Sequence, residues 1–203
     1  MKDSESDELL RRVLEAISQV PSSLYSPRED TYLMLDAVRA VEVGGKKVLD
    51  LGTGSGILGL YCALRGADVT AADIDDQAVQ HAIDAAGRLR VKLQGITSDL
   101  FRKIPNQFDL IFFNPPYLPS VDSKDRTVDG GADGRDVINK FLSDLSEHLA
   151  KNGVAYLLVS SLNDPASVVA SHREYVFKTI ATRSLFFEEL QILCVRLRND
   201  LSS

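Results

Sequence analysis

The sequence predicts one α/β domain: a seven-stranded, mostly parallel sheet with an antiparallel hairpin at one edge and helices on both faces. Short apolar runs alternate with segments of helical period along most of the chain, the pattern of strands joined by helical crossovers. Two of those runs, FDLIFF at 108–113 and VAYLLV at 154–159, lack the polar alternation of a half-exposed strand, as expected for strands covered on both faces. At 203 residues the chain is long enough for one well-cored domain and short for two.

The elements follow in order. Leu10, Val13, Leu14 and Ile17 recur at helical spacing within 7–20, and TYLMLDAVRAV at 31–41 carries a second helical pattern after the turn-rich PSSLYSPRED. KKVLDL at 46–51 reads as the first strand, and ILGLYCALRG as a helix stopped by Gly66. DVTAADI at 68–74 is the second strand, and DDQAVQHAIDAAGRL is a helix with an acidic first turn. Residues 91–97 form a weaker strand before FDLIFF, and 134–150 are helical by period, stopping at Asn152-Gly153. VAYLLV follows, and the β-rich runs 175–186 and 189–198 pair as the edge hairpin. The longest polar segment, 119–135, follows NPPY directly, and a loop of that length in a compact domain is more often functional than incidental.

Composition narrows the function classes. With 44% hydrophobic and 26% charged residues, the chain is that of a soluble globular protein. A net charge of −6 and a pI near 5.1 disfavour non-specific attachment to nucleic acid, which needs a basic face. Lys46-Lys47, Arg88 to Lys92 and Arg102-Lys103 are short cationic stretches of solvated surface. No apolar run reaches membrane-spanning length, and the polar, acidic start is unlike a signal peptide, so a cytoplasmic location is expected. Cys62 and Cys194 lie far apart and form no metal-ligand pattern with histidine; no metal site is expected. His81, His148 and His172 read as packing or surface residues.

Ligands of open α/β sheets bind beyond the carboxyl ends of strands, where the strand order reverses. VLDLGTGSGILGL places its glycines there, after the first strand. Gly54, Gly56 and Gly59 satisfy the dinucleotide pattern G-x-G-x-x-G, while Asp50, Gly52, Gly54 and Gly56 satisfy D-x-G-x-G-x-G. Asp73, ending the second strand, suits a ribose hydroxyl under either reading. A pyrophosphate favours a helix N-terminus but not a nearby carboxylate, whereas S-adenosylmethionine carries a sulfonium and an ammonium that Asp50 and Asp30 suit. Asp99 in TSDLF falls where an adenine amino group would be received. The plainer readings are Asp50 as a loop residue and Asp99 as a helix cap.

The stretch FFNPPYLPS ends the fourth strand. Asn114 offers a side-chain carbonyl, and Pro115 and Pro116 supply carbonyls with fixed φ and no competing N–H. Tyr117 adds a flat face. Together they suit a planar NH₂ group, with two acceptors for its two hydrogens.

VLDLGTGSG, AADID, TSDL and FFNPPY, in this order and spacing, resemble a Rossmann-like class I S-adenosylmethionine-dependent methyltransferase. The chain is most similar to the HemK-related glutamine methyltransferases, in the short branch that modifies the Gly-Gly-Gln motif of archaeal and eukaryotic class I release factors. YSPREDTYLMLDAV at 25–38, GGADGRDVINKFL at 130–142 and FFEELQILCVRL at 186–197 resemble the same family. The resemblance implies an N-terminal helix and linker over 1–24 and the methyltransferase domain over 25–203. It implies that Asp30, Thr31, Asp50, Gly52, Gly54, Gly56, Asp73, Asp99, Leu100 and Asn114 surround the cofactor. Asn114 and the Pro115 carbonyl would hold the glutamine amide, with Pro116 and Tyr117 completing the site. Bacterial relatives carry a separate helical substrate-recognition domain, for which the residues before Tyr25 are too few. The eukaryotic branch uses a small zinc-binding activator protein, an expected partner here. NPPY also occurs in enzymes that methylate the exocyclic amine of adenine or guanine in DNA or RNA, the alternative reading. A duplex DNA enzyme must flip its base and carries a target-recognition segment, for which this chain has no spare length.

Overall fold

In a computed structural model, residues 2–18, 24–117 and 134–201 are described. The strands are β1 (Lys47–Leu51), β2 (Asp68–Asp73), β3 (Gln94–Thr97), β4 (Phe108–Phe113), β5 (Leu149–Ser160), β6 (Tyr175–Ser184) and β7 (Glu189–Leu197). They form one seven-stranded sheet in the order β3-β2-β1-β4-β5-β7-β6. Strands β1 to β5 pair in parallel, and β7 enters antiparallel between β5 and β6. The hairpin therefore lies at the edge as expected, with its second strand turned inward.

The helices are α1 (Lys2–Ala16), α2 (Glu29–Arg39), α3 (Ile57–Leu64), α4 (Asp76–Leu89), α5 (Asp136–His148) and α6 (Pro165–Ser171). Successive side chains of a strand point to opposite faces, so each central strand feeds two cores. Leu110 and Phe112 of β4 pack with α1 to α4, whereas Ile111 and Phe113 pack with α5 and α6. Strand β5 divides the same way, with Val154, Tyr156 and Leu158 on one side and Ala155, Leu157 and Val159 on the other. This division explains why neither strand shows polar alternation. Val13 of α1 and Ile17 just after it are buried in the first of these cores.

Several boundaries differ from the sequence reading. Helix α1 begins at Lys2, ahead of residue 7. Leu149 and Ala150, expected to close a helix, begin β5 instead, and Leu149 pairs with Phe108. The register then breaks, and Val154 pairs with Leu110. Asn152 at φ 62 turns the chain within that bulge, and a Cβ on Gly153 would meet the Ala150 and Phe108 carbonyls at 2.8 and 2.9 Å. Asn152-Gly153 thus bends a strand rather than capping a helix. The short helix α6, started by Pro165 and an Asp164 side-chain cap, was not anticipated. Most of the polar segment 119–135 lies outside the described residues.

Candidate active site

The strand order reverses between β1 and β4, and a cavity of about 830 Å³ opens beyond their carboxyl ends. Its walls come from Leu24 to Thr31, the glycine loop after β1, the end of β2, Ser98 to Leu100, and Phe113 to Tyr117. Gly52, Gly54 and Gly56 all lie in the left-handed region, at φ 65, 50 and 82. That conformation is open to glycine at little cost, and it turns the chain from β1 into α3 within five residues.

Asp50 and Gly56 do not line the cavity. Asp50 is 1% exposed, and its Oδ2 accepts the Thr53 hydroxyl at 2.7 Å and the Gly59 N–H at 2.9 Å. The carboxylate is thus engaged with the loop and the first turn of α3, which it braces from beneath, one layer behind the cavity wall. A Cβ on Gly56 would meet Ala82 at 3.1 Å, so Gly56 allows close packing on α4.

Burial pushes the Asp50 carboxyl up from 3.8 to about 7, against the two hydrogen bonds that favour its ionised form. The folded state then holds a proton that the unfolded chain has released, so this group's contribution falls as pH rises from 3.8 to about 7 and is level above. Asp50→Asn is therefore expected to gain melting temperature relative to the wild type across that window, by roughly 3–8 °C. Thermal melts at several pH values measure this, and a pH-independent difference would contradict it.

Asp73 ends β2 at the cavity wall. Its Oδ2 accepts the Gly54 N–H at 2.9 Å and its Oδ1 the Asp75 N–H at 3.0 Å, and burial raises its pKa. Beyond β3, the Ser98 hydroxyl donates to the Leu100 carbonyl at 2.8 Å and holds Leu100 at φ 48, a strained conformation for leucine. Asp99 and Leu100 both line the cavity; Asp99 Oδ2 meets Lys140 Nζ of α5 at 2.9 Å.

The NPPY segment is fixed by partners distant in sequence. Asn114 Nδ2 donates to Asp30 Oδ2 at 2.9 Å, and the Tyr25 hydroxyl donates to the same oxygen at 2.8 Å. Asp30 Oδ1 accepts the Thr31 N–H at 2.7 Å and faces its hydroxyl at 3.3 Å. Asp30, 4% exposed, lines the cavity and orients Asn114. A flipped Asn114 amide would set its oxygen against that carboxylate. The orientation leaves Asn114 Oδ1 buried with no hydrogen-bond partner among the described residues.

Tyr117 is held through its backbone. Asn163, fully buried just past β5, donates from Nδ2 to the Tyr117 carbonyl at 2.6 Å and to the Gly134 carbonyl at 3.0 Å. Its Oδ1 accepts the Ser160 N–H at 3.0 Å. One side chain therefore ties Tyr117 to Gly134. Sequence reasoning missed Asn163, although its place after a strand's carboxyl end was the available signal. Asn163→Ala is expected to cost about 2–4 kcal/mol of unfolding free energy, because a buried and a part-buried carbonyl lose their donor. Denaturant unfolding measures the loss, and an unchanged midpoint would contradict the clamp. Arg135, at the start of α5, lies 3.8 Å from Asp164.

Comparison with known proteins adds the chemistry. Residues 29–182 match the methyltransferase small domain family. The chain belongs to that family. The methyltransferase is 35% identical over 181 residues to a protein of Methanocaldococcus jannaschii that carries the provisional name protein N5-glutamine methyltransferase, covering 84% of this chain and 90% of that one. It superposes with a TM-score of 0.71 on the E. cuniculi structure described as the Mtq2-Trm112 complex responsible for methylation of the eRF1 translation termination factor. That match has 30% identity over 86% of this chain and 99% of that one. A 16S rRNA N2 G1207 methyltransferase of T. thermophilus, solved with AdoMet and guanosine, shares the fold at a TM-score of 0.65 and 23% identity, covering 85% of this chain and 44% of that one.

The cofactor of the methyltransferase is S-adenosylmethionine, and the cavity fits it. Asp73, beside the Gly52–Gly54 backbone, offers a buried carboxylate with acceptor capacity for ribose hydroxyls. Those residues contain no group of three or more His, Cys, Asp or Glu that could hold a metal ion, and no helix long and apolar enough to cross a membrane.

Proposed function

We propose that the methyltransferase acts on the side-chain amide of a protein glutamine, in the Gly-Gly-Gln motif of a class I peptide-chain release factor. The observation that carries this reading is the buried Asn114 Oδ1, unpartnered among the described residues, whose unmet hydrogen bond is the one a planar NH₂ group would satisfy. The M. jannaschii protein's name and the eRF1 description of the E. cuniculi complex support the choice of glutamine and of a termination factor.

Bound S-adenosylmethionine supplies an electrophilic methyl group on a sulfonium. An amide nitrogen is a poor nucleophile because its lone pair is delocalised. Asn114 Oδ1 and the Pro115 carbonyl accept its two hydrogens, set the plane of the amide, and favour the positive charge that develops on nitrogen. Asp30 and Tyr25 keep the acceptor fixed, so no reorganisation is needed as that charge grows. Pro116 and Tyr117 flank the amide, and the Asn163 clamp holds Tyr117 in place. Once methylated, the nitrogen loses its proton to solvent, and no strong base is required.

A small activator protein is the proposed partner, zinc-binding as in the eukaryotic branch, and the setting is cytoplasmic. The E. cuniculi relative's complex with Trm112 supports the activator. Labelled S-adenosylmethionine offered with a release factor in Gly-Gly-Gln and Gly-Gly-Ala forms tests the reading, with and without the activator. Label on the glutamine form alone is expected. Label on neither form with cofactor binding intact, or label in RNA, would move the substrate to a base amine.

A further inference from the structure

We propose that Phe186 and Phe187 form a docking lip for the protein substrate, gripping an apolar, positively charged stretch of the polypeptide that carries the reacting glutamine. The proposal rests on the glutamine reading of the site.

The two rings sit in the connection between β6 and β7. Ser184 pairs with Glu189, and Ser160 at the carboxyl end of β5 pairs with Leu190. The tip of the hairpin is therefore at the sheet edge that carries the cavity. Leu185 and Glu188 line that cavity, while Phe186 and Phe187 between them are 92% and 86% exposed. The next most exposed large apolar side chain, Ile74 at 59%, also lines the cavity. The strongest apolar exposure in the described residues is thus continuous with the reaction site.

Turn geometry does not call for these residues. Hairpin tips favour Gly, Asn and Asp, which tolerate positive φ or bond their own backbone. Neither Phe186 nor Phe187 has positive φ, and any polar residue would serve the backbone as well. The pair is also firmly placed. The Leu185 N–H donates to the Glu188 carbonyl at 2.8 Å, and the rings meet edge to face with centroids 4.6 Å apart. Arg183 reaches the Glu29 carbonyl and the Asp36 carboxylate of α2, each at 3.2 Å. On the other side the Ser160 hydroxyl donates to Glu188 at 2.5 Å, and the Ser161 hydroxyl accepts the Glu189 N–H at 3.0 Å. Helix α2 carries Asp30, so the hairpin is tied to the element that orients Asn114. Rigid aromatic side chains lose little conformational entropy on binding, which suits them as anchors.

Charge selects the occupant. Glu188 and Glu189 follow the pair, and Glu29 begins the helix that Arg183 grips. Acidic groups beside two phenyl rings repel a phosphate backbone and attract lysine or arginine flanking apolar residues.

The test compares Phe186→Ala/Phe187→Ala with the wild type as full chains, using a class I release factor and a short Gly-Gly-Gln peptide too small to reach the tip. Both side chains are in solvent, so the fold is expected to survive, checked by thermal melting. The KM for the release factor is expected to rise about tenfold or more with kcat within about twofold. Cofactor affinity and turnover of the peptide should be unchanged, and Phe186→Leu/Phe187→Leu should recover much of the KM. A release factor methylated with an unchanged KM by the double alanine variant would overturn the lip and leave the glutamine reading standing. A wild type that leaves the release factor unlabelled overturns both. Label in RNA that the variant loses would make the rings a base-stacking surface, against the proposal.

Discussion

Asn114→Ala is expected to reduce kcat for methyl transfer by at least about 10²–10³-fold, the scale found when one preorganised transition-state acceptor or donor is removed. The affinity for S-adenosylmethionine should stay within about threefold, because the side chain's described contact is with Asp30 rather than the glycine loop. Two losses combine in this variant. The substrate amide forfeits the acceptor that steers its lone pair, and Asp30 forfeits a donor inside the protein. Asp30→Asn separates them, since it keeps Asn114 but removes the charge that forbids the flipped amide. Its kcat should fall less than that of Asn114→Ala. Full activity in Asn114→Ala would remove the mechanism, whatever the substrate.

Asp73→Ala is expected to act on the other partner. The carboxylate both faces the cavity and holds the Gly54 and Asp75 backbones. Its loss takes away acceptors for the ribose hydroxyls and slackens the loop that passes beneath the cofactor. The dissociation constant for S-adenosylmethionine should rise by about 10²-fold, equivalent to about 2.7 kcal/mol, with kcat at saturation affected less. Calorimetry measures this directly. An unchanged constant would reject the ribose role and leave Asp73 as a brace of the same kind as Asp50.

The contrast between these two aspartates marks where the sequence stops being legible. Both stand at the carboxyl ends of parallel strands, Asp50 next to last in β1 and Asp73 closing β2, and residue type alone does not separate their roles. Asp50 is turned under the loop because Thr53 and Gly59, three and nine residues on, present donors there; Asp73 stays at the wall. The strands themselves were readable because an apolar run buried on both faces is a local property. So were the glycine loop and NPPY, whose residue types state their backbone demands. The Asp30–Asn114 hydrogen bond was not, because it joins residues 84 positions apart. The same holds for Asn163, whose bonds reach Tyr117 and Gly134, 46 and 29 positions earlier in the chain. Strand β5 begins at Leu149, paired with Phe108 ahead of a bulge, a start that the helical period of 134–150 concealed.

The most direct measurement is tandem mass spectrometry of a class I release factor after incubation with the methyltransferase, S-adenosylmethionine and the activator. A single methyl on the side-chain amide of the glutamine in Gly-Gly-Gln, absent with Asn114→Ala, is the predicted result. A methyl on another residue, or the same product from the Asn114→Ala enzyme, would contradict the account.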